Sequence, residues 1–133
     1  MRTKFLFAAL FLLSTNNASF SQETDIISIV TQSFRTANSQ DISKYFSSTV
    51  ELNILTDQDA YSKAQAELII KNFITKHPII SLKTLHRLDS NPNYRFGVLL
   101  MNTDAGKVRV SFSMKNTSGK FLITEISIKN YEN

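Results

Sequence analysis

The stretch YSKAQAELIIKNFITKHP, residues Tyr61 to Pro78, decides the fold because it predicts one long amphipathic helix. Ser62 and Gln65 mark its start, since their three-residue spacing matches a capping box in which each side chain binds the other residue's backbone N–H group. Pro78 marks its end, because the residue before a proline disfavours helical backbone angles. Between these ends, apolar residues recur every three or four positions and form one helical face. These residues are Ala66, Ile69, Ile70, Phe73 and Ile74.

The sequence before the long helix predicts two shorter helices and one strand. Residues 26–34 place their apolar side chains on one helical face. Ser39 is a possible cap of a short second helix that carries Ile42, Tyr45 and Phe46. Residues 50–55, VELNIL, begin with the alternation of apolar and polar side chains that is typical of a strand. Residues 56–60 are interpreted as the turn that leads into the long helix.

After Pro78 the apolar period changes from 3.6 to 2, which predicts four consecutive antiparallel strands. The predicted strands cover residues 81–88, 94–101, 107–115 and 120–129. TDAG and NTSG, two four-residue loops that each end in glycine, join the last three strands. Glycine readily adopts the left-handed backbone conformation that such hairpin loops need at their last position.

The TDAG loop sets a register that gives the predicted strand 94–101 two apolar faces. Pairing Asn102 with Lys107 places Phe112 over Gly97, where the ring covers backbone that a glycine leaves bare. The same register leaves three apolar side chains on the opposite face, namely Phe96, Val98 and Leu100. A strand that is apolar on both faces is either covered or forms an interface.

The second loop predicts an irregularity in the last strand. Pairing Lys115 with Lys120 aligns the two strands at first, but the apolar residues of the last strand change face beyond residue 123. One extra residue near Thr124 would restore the match. We therefore predict a β-bulge and a sharp bend of the sheet at this position.

These elements predict an α+β fold in which a strongly curved, mainly antiparallel sheet wraps around the long helix and forms a cone with one open end. We take the even-numbered residues of strand 81–88 to face the concave side. The candidate cavity-lining residues are His86, Thr84, Phe112 and Tyr61. A histidine beside a threonine in an apolar cone could bind a ligand or act as a general base.

The beginning of the chain is typical of a secretory signal peptide. Arg2 and Lys4 give a positive start, residues 5–13 form a short apolar run, and small residues precede Gln22. We therefore expect residues 1–21 to be removed and residues 22–133 to form one periplasmic or extracellular domain. The apolar run is too short to span a bilayer, so we expect no stable membrane anchor.

Composition and spacing argue against several functional classes. The chain has no cysteine, which excludes disulfides and lipid attachment through an N-terminal cysteine. Loss of Arg2 and Lys4 with the signal peptide lowers the net charge from +4 to +2, too small a value to indicate nucleic-acid binding. His77 and His86 lack the spacing of zinc ligands, so we expect no metal and no cofactor. Lys107, Arg109 and Lys115 are interpreted as a solvated basic strand face rather than an anion site.

The chain resembles the nuclear-transport-factor-2-like, or cystatin-like, superfold. More narrowly, it resembles an uncharacterised family of small exported Bacteroidetes proteins that carry a domain of unknown function. The likeness rests on DISKYF (41–46), VELNIL (50–55), YSKAQAE (61–67), YRFG (94–97) and GKVRVSF (106–112). The resemblance implies the cone fold and life outside the cytoplasm, and it carries over no catalytic residue.

Three hypotheses of function follow, in order of preference. The first is a non-enzymatic exported domain whose cone cavity binds a small apolar or amphipathic ligand. The second is a protein-interaction module that self-associates as a homodimer through Phe96, Val98 and Leu100. The third and least favoured is a small isomerase or hydrolase that uses His86.

Overall fold

The computed structural model describes residues 25–132. The predicted signal peptide, residues 1–21, and its cleavage site before Gln22 lie outside these residues. Within them, three helices pack against one face of a curved, open, six-stranded sheet, as the α+β prediction requires. We call the face that carries the helices the inner face and the opposite face the outer face.

The elements follow one another along the chain in an order that places β1 beside β6. The helices are α1 (Ile26–Arg35), α2 (Ser39–Ser43) and α3 (Lys63–Lys76). The strands are β1 (Phe46–Ile54), β2 (Asp57–Ser62), β3 (Ile79–Leu88), β4 (Tyr94–Thr103), β5 (Gly106–Thr117) and β6 (Lys120–Asn130). Their order in the sheet is β2-β1-β6-β5-β4-β3. In this order β2 and β3 are the two edge strands. The β1–β6 pair is parallel and every other pair is antiparallel.

The long helix α3 begins with the predicted capping box. The Ser62 hydroxyl accepts a hydrogen bond from the Gln65 backbone N–H, and the Gln65 side-chain oxygen accepts one from the Ser62 N–H. These two bonds satisfy backbone donors that would otherwise lack a partner in the first helical turn. The apolar face of α3 contributes four buried side chains to the core, namely Ala66, Ile70, Phe73 and Ile74.

Residues 56–60, interpreted from the sequence as a turn, lie mostly in strand β2. The reason is Leu55, which has a left-handed φ of 56° and lets the chain reverse directly after β1. Residues 57–62 then pair antiparallel with β1, and Tyr61 lies opposite Val50. The sheet consequently has six strands rather than the five that were predicted.

The register of β4 and β5 is confirmed, whereas the register predicted for β5 and β6 is wrong by two residues. Asn102 pairs with Lys107, which places Phe112 opposite Gly97. In the next hairpin, Ser118 and Gly119 both have a positive φ, of 51° and 87°. They form a two-residue turn, so that residue 117 rather than residue 115 pairs with Lys120.

The predicted bulge at Thr124 is confirmed. Met114 pairs with Ile123 and Ser113 pairs with Glu125, which leaves Thr124 as an extra residue on β6. Beyond it, Ile126 and Ile128 face the core and are fully buried. The bulge therefore keeps the apolar residues of both halves of β6 on the inner face.

Side chains fill the centre of the inner face. Phe112 from β5 has no exposed surface and stacks on Phe34 of α1, with ring centroids 6.2 Å apart and planes inclined by 24°. Ile27 and Val30 of the same helix are buried beside them in one continuous core. Aromatic packing of this kind gives the inner face a solid centre.

Candidate functional site

His86 does not lie on the face that the sequence analysis assigned to it. Thr84 pairs with Leu99 and His86 pairs with Val98, so Leu85 is an extra residue that forms a bulge in β3. The bulge reverses the alternation of side chains and turns His86 to the outer face, where it is exposed. No hydrogen bond among the described residues involves its side chain, and no acid is placed to orient it for catalysis.

The other three predicted cavity residues lie on the inner face, but the fold does not bring them together. Thr84 is exposed on the edge strand β3, and Tyr61 is half-buried on the opposite edge strand β2. Phe112 is between them on β5, fully buried in the core. The concavities described below are lined by other residues.

Phe96, Val98 and Leu100 lie together on the outer face of β4, as the register predicts. Phe96 and Val98 are half-buried, and Leu100 is 8% exposed. A groove of about 220 Å³ crosses the sheet beside them. It is lined by Phe96, Val98, Arg109, Ser111, Ser127 and Lys129. The groove thus has an apolar side on β4 and a cationic end on β5 and β6.

A second groove, of about 440 Å³, lies further along the same outer face. It is lined by Thr49, Glu51, Ala60, Tyr94, Ser113, Lys115, Thr124 and Glu125. The Glu125 carboxylate accepts a hydrogen bond of 3.1 Å from the Asn53 side-chain amide, and Glu51 accepts one of 2.9 Å from Gln58. This end of the outer face carries two neighbouring carboxylates, although Lys115 also borders it.

Strand pairing sorts the outer-face side chains into three rows that run across the sheet. The cationic row is Lys83, Leu100, Arg109 and Lys129. The central row is His86, Val98, Ser111, Ser127 and Asn53. The acidic row is Leu88, Phe96, Ser113, Glu125 and Glu51. Sequence reasoning found the apolar strip of β4 and the basic residues of β5 but missed the acidic row, since the side to which Glu125 points depends on where the bulge falls.

A separate apolar concavity of about 340 Å³ lies between the start of α1, the end of α2 and the β5–β6 hairpin. Its lining residues are Ile26, Lys44, Tyr45, Gly119, Lys120, Phe121 and Leu122. The Arg95 guanidinium lies over the Phe121 ring, 4.3 Å from its centroid. The lining combines half-buried apolar side chains with two lysines and contains no acid.

Arg87 joins the edge strand β3 to the first turn of α1. Its guanidinium donates hydrogen bonds to Asp25 at 2.7 Å, to Ser28 at 3.1 Å and to Asp89 at 3.2 Å. The hydrogen bond from Arg87 is the main reason that the pKa of Asp25 falls from 3.8 to about 2, despite partial burial that acts in the opposite direction. Asp25 also accepts a hydrogen bond from the Ser28 N–H as the N-cap of α1, so this cluster is explained as a structural joint.

The described residues show no centre for metal chemistry. Residues 25–132 contain no group of three His, Cys, Asp or Glu side chains that could hold a metal ion. In the same part of the chain, no helix combines the length and apolarity needed to cross a bilayer.

Comparison with known proteins places this geometry in a family. A solved structure of a DUF4783 family protein from Bacteroides uniformis ATCC 8492 is 24% identical, with a TM-score of 0.78 over 82% of this chain and 100% of that chain. One from Bacteroides ovatus ATCC 8483 is also 24% identical, with a TM-score of 0.75 over 79% and 94%. A nuclear-transport-factor-2-like protein of unknown function from Shewanella baltica OS155 is 13% identical, with a TM-score of 0.58 over 81% and 90%, which shows the shared fold.

No curated protein gives a significant match to this chain. The family model described as "Domain of unknown function (DUF4783)" matches residues 27–129, which is nearly all of the part that the structure describes. The chain therefore belongs to the DUF4783 family and has the nuclear-transport-factor-2-like fold.

Proposed function

We propose that this protein is an exported, non-enzymatic interaction module that self-associates through the outer face of its sheet. Export is supported by the signal-peptide pattern of residues 1–21, which predicts that the mature domain lies in the periplasm or outside the cell. The observation that carries the interaction is the apolar strip of Phe96 and Val98, which stays half-open beside a groove. The inner face, by contrast, is filled at its centre by Phe112 and Phe34.

The apolar strip has the composition expected of an interface centre. Phe96 stacks on Tyr94 with ring centroids 6.4 Å apart, and Leu88 of β3 pairs with Phe96 while remaining exposed. Removing such surface from water is favourable by about 25 cal/mol per Å², and aromatic residues are enriched at protein interfaces. Charged residues lie at both ends of the strip, which is the arrangement of an apolar centre with a polar rim.

Val98→Asp tests the proposal, because it places a charge in the middle of the strip without touching the core. We expect the mature protein, residues 22–133, to form dimers and Val98→Asp to raise the dissociation constant at least tenfold, measured by sedimentation velocity. Leu68→Asp is the matched control, since Leu68 is 65% exposed on α3, away from the outer face. A wild-type protein that remains monomeric at high concentration, or equal weakening by both variants, would refute the proposal.

A second candidate function is binding of a small amphipathic anion in the concavity at the start of α1. Its volume of about 340 Å³ falls in the range of small-molecule pockets, and its apolar lining with Lys120 suits a carboxylate that carries an apolar body. Lys44 also lines it, but its ammonium is paired with Asp41 at 2.9 Å. We expect octanoate to shift the amide NMR signals of Gly119 and Phe121, and Lys120→Glu to weaken this binding. Lys71→Glu on α3 is the control. Unchanged spectra at millimolar octanoate would exclude this function.

A further inference from the structure

Two pairs of like charges face each other across neighbouring strands of the outer face. Arg109 and Lys129 are directly opposite one another on β5 and β6. Glu125 and Glu51 are directly opposite one another on β6 and β1. Like charges in this position repel and destabilise a sheet. Each pair would therefore be stabilised by opposite charge from outside the sheet.

Neither pair forms a salt bridge within residues 25–132, although Lys115 borders the groove of Glu51 and Glu125, and Glu132 lines a concavity with Arg109 and Lys129. The salt bridges of residues 25–132 join Lys44 to Asp41, and Arg87 to Asp25 and Asp89. Arg109 lies over the Tyr131 ring, 5.5 Å from its centroid, which leaves its charge in place. Both pairs are thus available to a partner that approaches the outer face.

One member of each pair lies on β6, at equal distances from the central row. On β6, Lys129 follows Ser127 by two residues and Glu125 precedes it by two, so each lies about 7 Å from Ser127 along the strand. When two copies of a surface meet face to face, the twofold axis lies in the contact plane. An axis along the central row therefore places Lys129 of one copy opposite Glu125 of the other, and the symmetry repeats this contact.

We infer that the partner at the outer face is a second copy of this chain, related by a twofold axis along the central row and held by two Lys129–Glu125 contacts. This inference rests on the self-association proposed above and adds the symmetry axis and the charge contacts. Arg109 lies one strand away from Lys129 and is within reach of the same carboxylates.

The same axis also matches the apolar and uncharged residues. Leu100 and Phe96 lie one row to either side of Val98 on β4, so Leu100 of one copy meets Phe96 of the other. Ser111 and Ser127 lie on the axis, and their small side chains allow the two sheets to approach to about 10 Å.

One alternative in-plane axis, parallel to the strands and between β5 and β6, gives a poor match. It would place Arg109 of one copy opposite Lys129 of the other, so that like charges meet across the interface. It would also place Phe96 of β4 opposite Glu51 of β1. Charge complementarity therefore favours the axis along the central row.

The whole outer face has about the area of an ordinary protein interface. Six strands spaced about 4.8 Å apart, with about ten residues each at roughly 3.3 Å per residue, give a face on the order of 900 Å² per copy. Standard protein interfaces bury about 800 Å² per partner. The two charge contacts and the apolar centre lie in the middle of this face.

Exchange of the two charges tests this register. We expect K129E and E125K each to raise the dissociation constant of the homodimer at least tenfold, because each variant brings like charges together. A one-to-one mixture of the two variants should form heterodimers, since both contacts then join opposite charges. The double variant K129E/E125K should recover the wild-type homodimer. Native mass spectrometry, with one variant labelled by ¹⁵N, distinguishes these species.

The controls separate this inference from the proposed function. K71E, on the exposed side of α3, should dimerise like the wild type. E125Q keeps an acceptor for the Asn53 amide and should weaken the dimer in the same direction as E125K, which covers a failure of E125K to fold. If the wild type never dimerises, the proposed function fails and this inference fails with it. If the wild type dimerises but K129E and E125Q leave the dimer unchanged, the register is wrong while self-association stands.

Discussion

At the scale of single residues, Gly97 on β4 fits closely against the Phe112 ring on β5. A methyl group added at position 97 would lie 2.6 Å from the Phe112 Cζ atom, well inside ordinary van der Waals contact. The ring has little freedom to move, because it is fully buried and stacks on Phe34. The absence of a side chain at Gly97 is therefore what allows a large aromatic ring to lie against the sheet.

We expect Gly97→Ala to lower the free energy of unfolding by about 1–3 kcal/mol, the usual cost of adding volume to a well-packed core. Urea unfolding followed by circular dichroism measures this change. Phe112→Leu supplies the control background, because the smaller side chain leaves room for the added methyl group. The alanine should cost clearly less in that background, since the two sites are in contact. Equal costs in both backgrounds would show that the Phe112 ring is not the cause.

At the scale of elements, the sequence predicted what local signals specify. The capping box of α3 depends on residues three positions apart, and the Thr124 bulge follows from apolar residues that must all face one core. Strand β2 was missed because its residues are polar and exposed, so they resemble a turn. The register of the last hairpin was missed because Ser118, a residue other than glycine, adopts a left-handed conformation.

The candidate site was only partly predictable, because local sequence patterns fix the direction of side chains in buried strands but not in exposed ones. Strand β3 is an edge strand with most of its side chains exposed, so its sequence pattern does not fix which face each residue takes. The bulge at Leu85 consequently reversed the expected side of His86. The strip of Phe96 and Val98 was predictable, because β4 is central and the alternation of its apolar residues is tied to a confirmed register.

At the scale of the whole molecule, the contact between Arg87 and Asp25 links the helical layer to one edge of the sheet. It joins α1, whose Phe34 packs against the centre of the sheet, to β3 at the sheet edge. Asp25 and Arg87 are partly exposed, with 48% and 35% of their side-chain surfaces accessible, so solvent weakens their attraction. The contact nevertheless makes the stability of the whole domain depend on the charge of one carboxylate.

We expect the stabilising contribution of the Asp25–Arg87 contact to be lost at low pH. The pKa of Asp25 is lowered from 3.8 to about 2 in the folded protein, mainly by the hydrogen bond from Arg87, so the contribution is fully present above about pH 4 and is lost as the pH falls through about 2. Because both side chains are partly exposed, it should not exceed about 1 kcal/mol.

Asp25→Asn tests this expectation, since asparagine is an equally good N-cap and only the charge is removed. The free energy of unfolding of the wild type, measured with urea at a series of pH values, should fall more steeply between about pH 4 and pH 2 than that of Asp25→Asn. Asp104→Asn, on the exposed β4–β5 loop, keeps the Arg87 contact and should follow the wild-type curve. If the Asp25→Asn and wild-type curves run parallel through this range, the contact does not contribute to the stability of the domain.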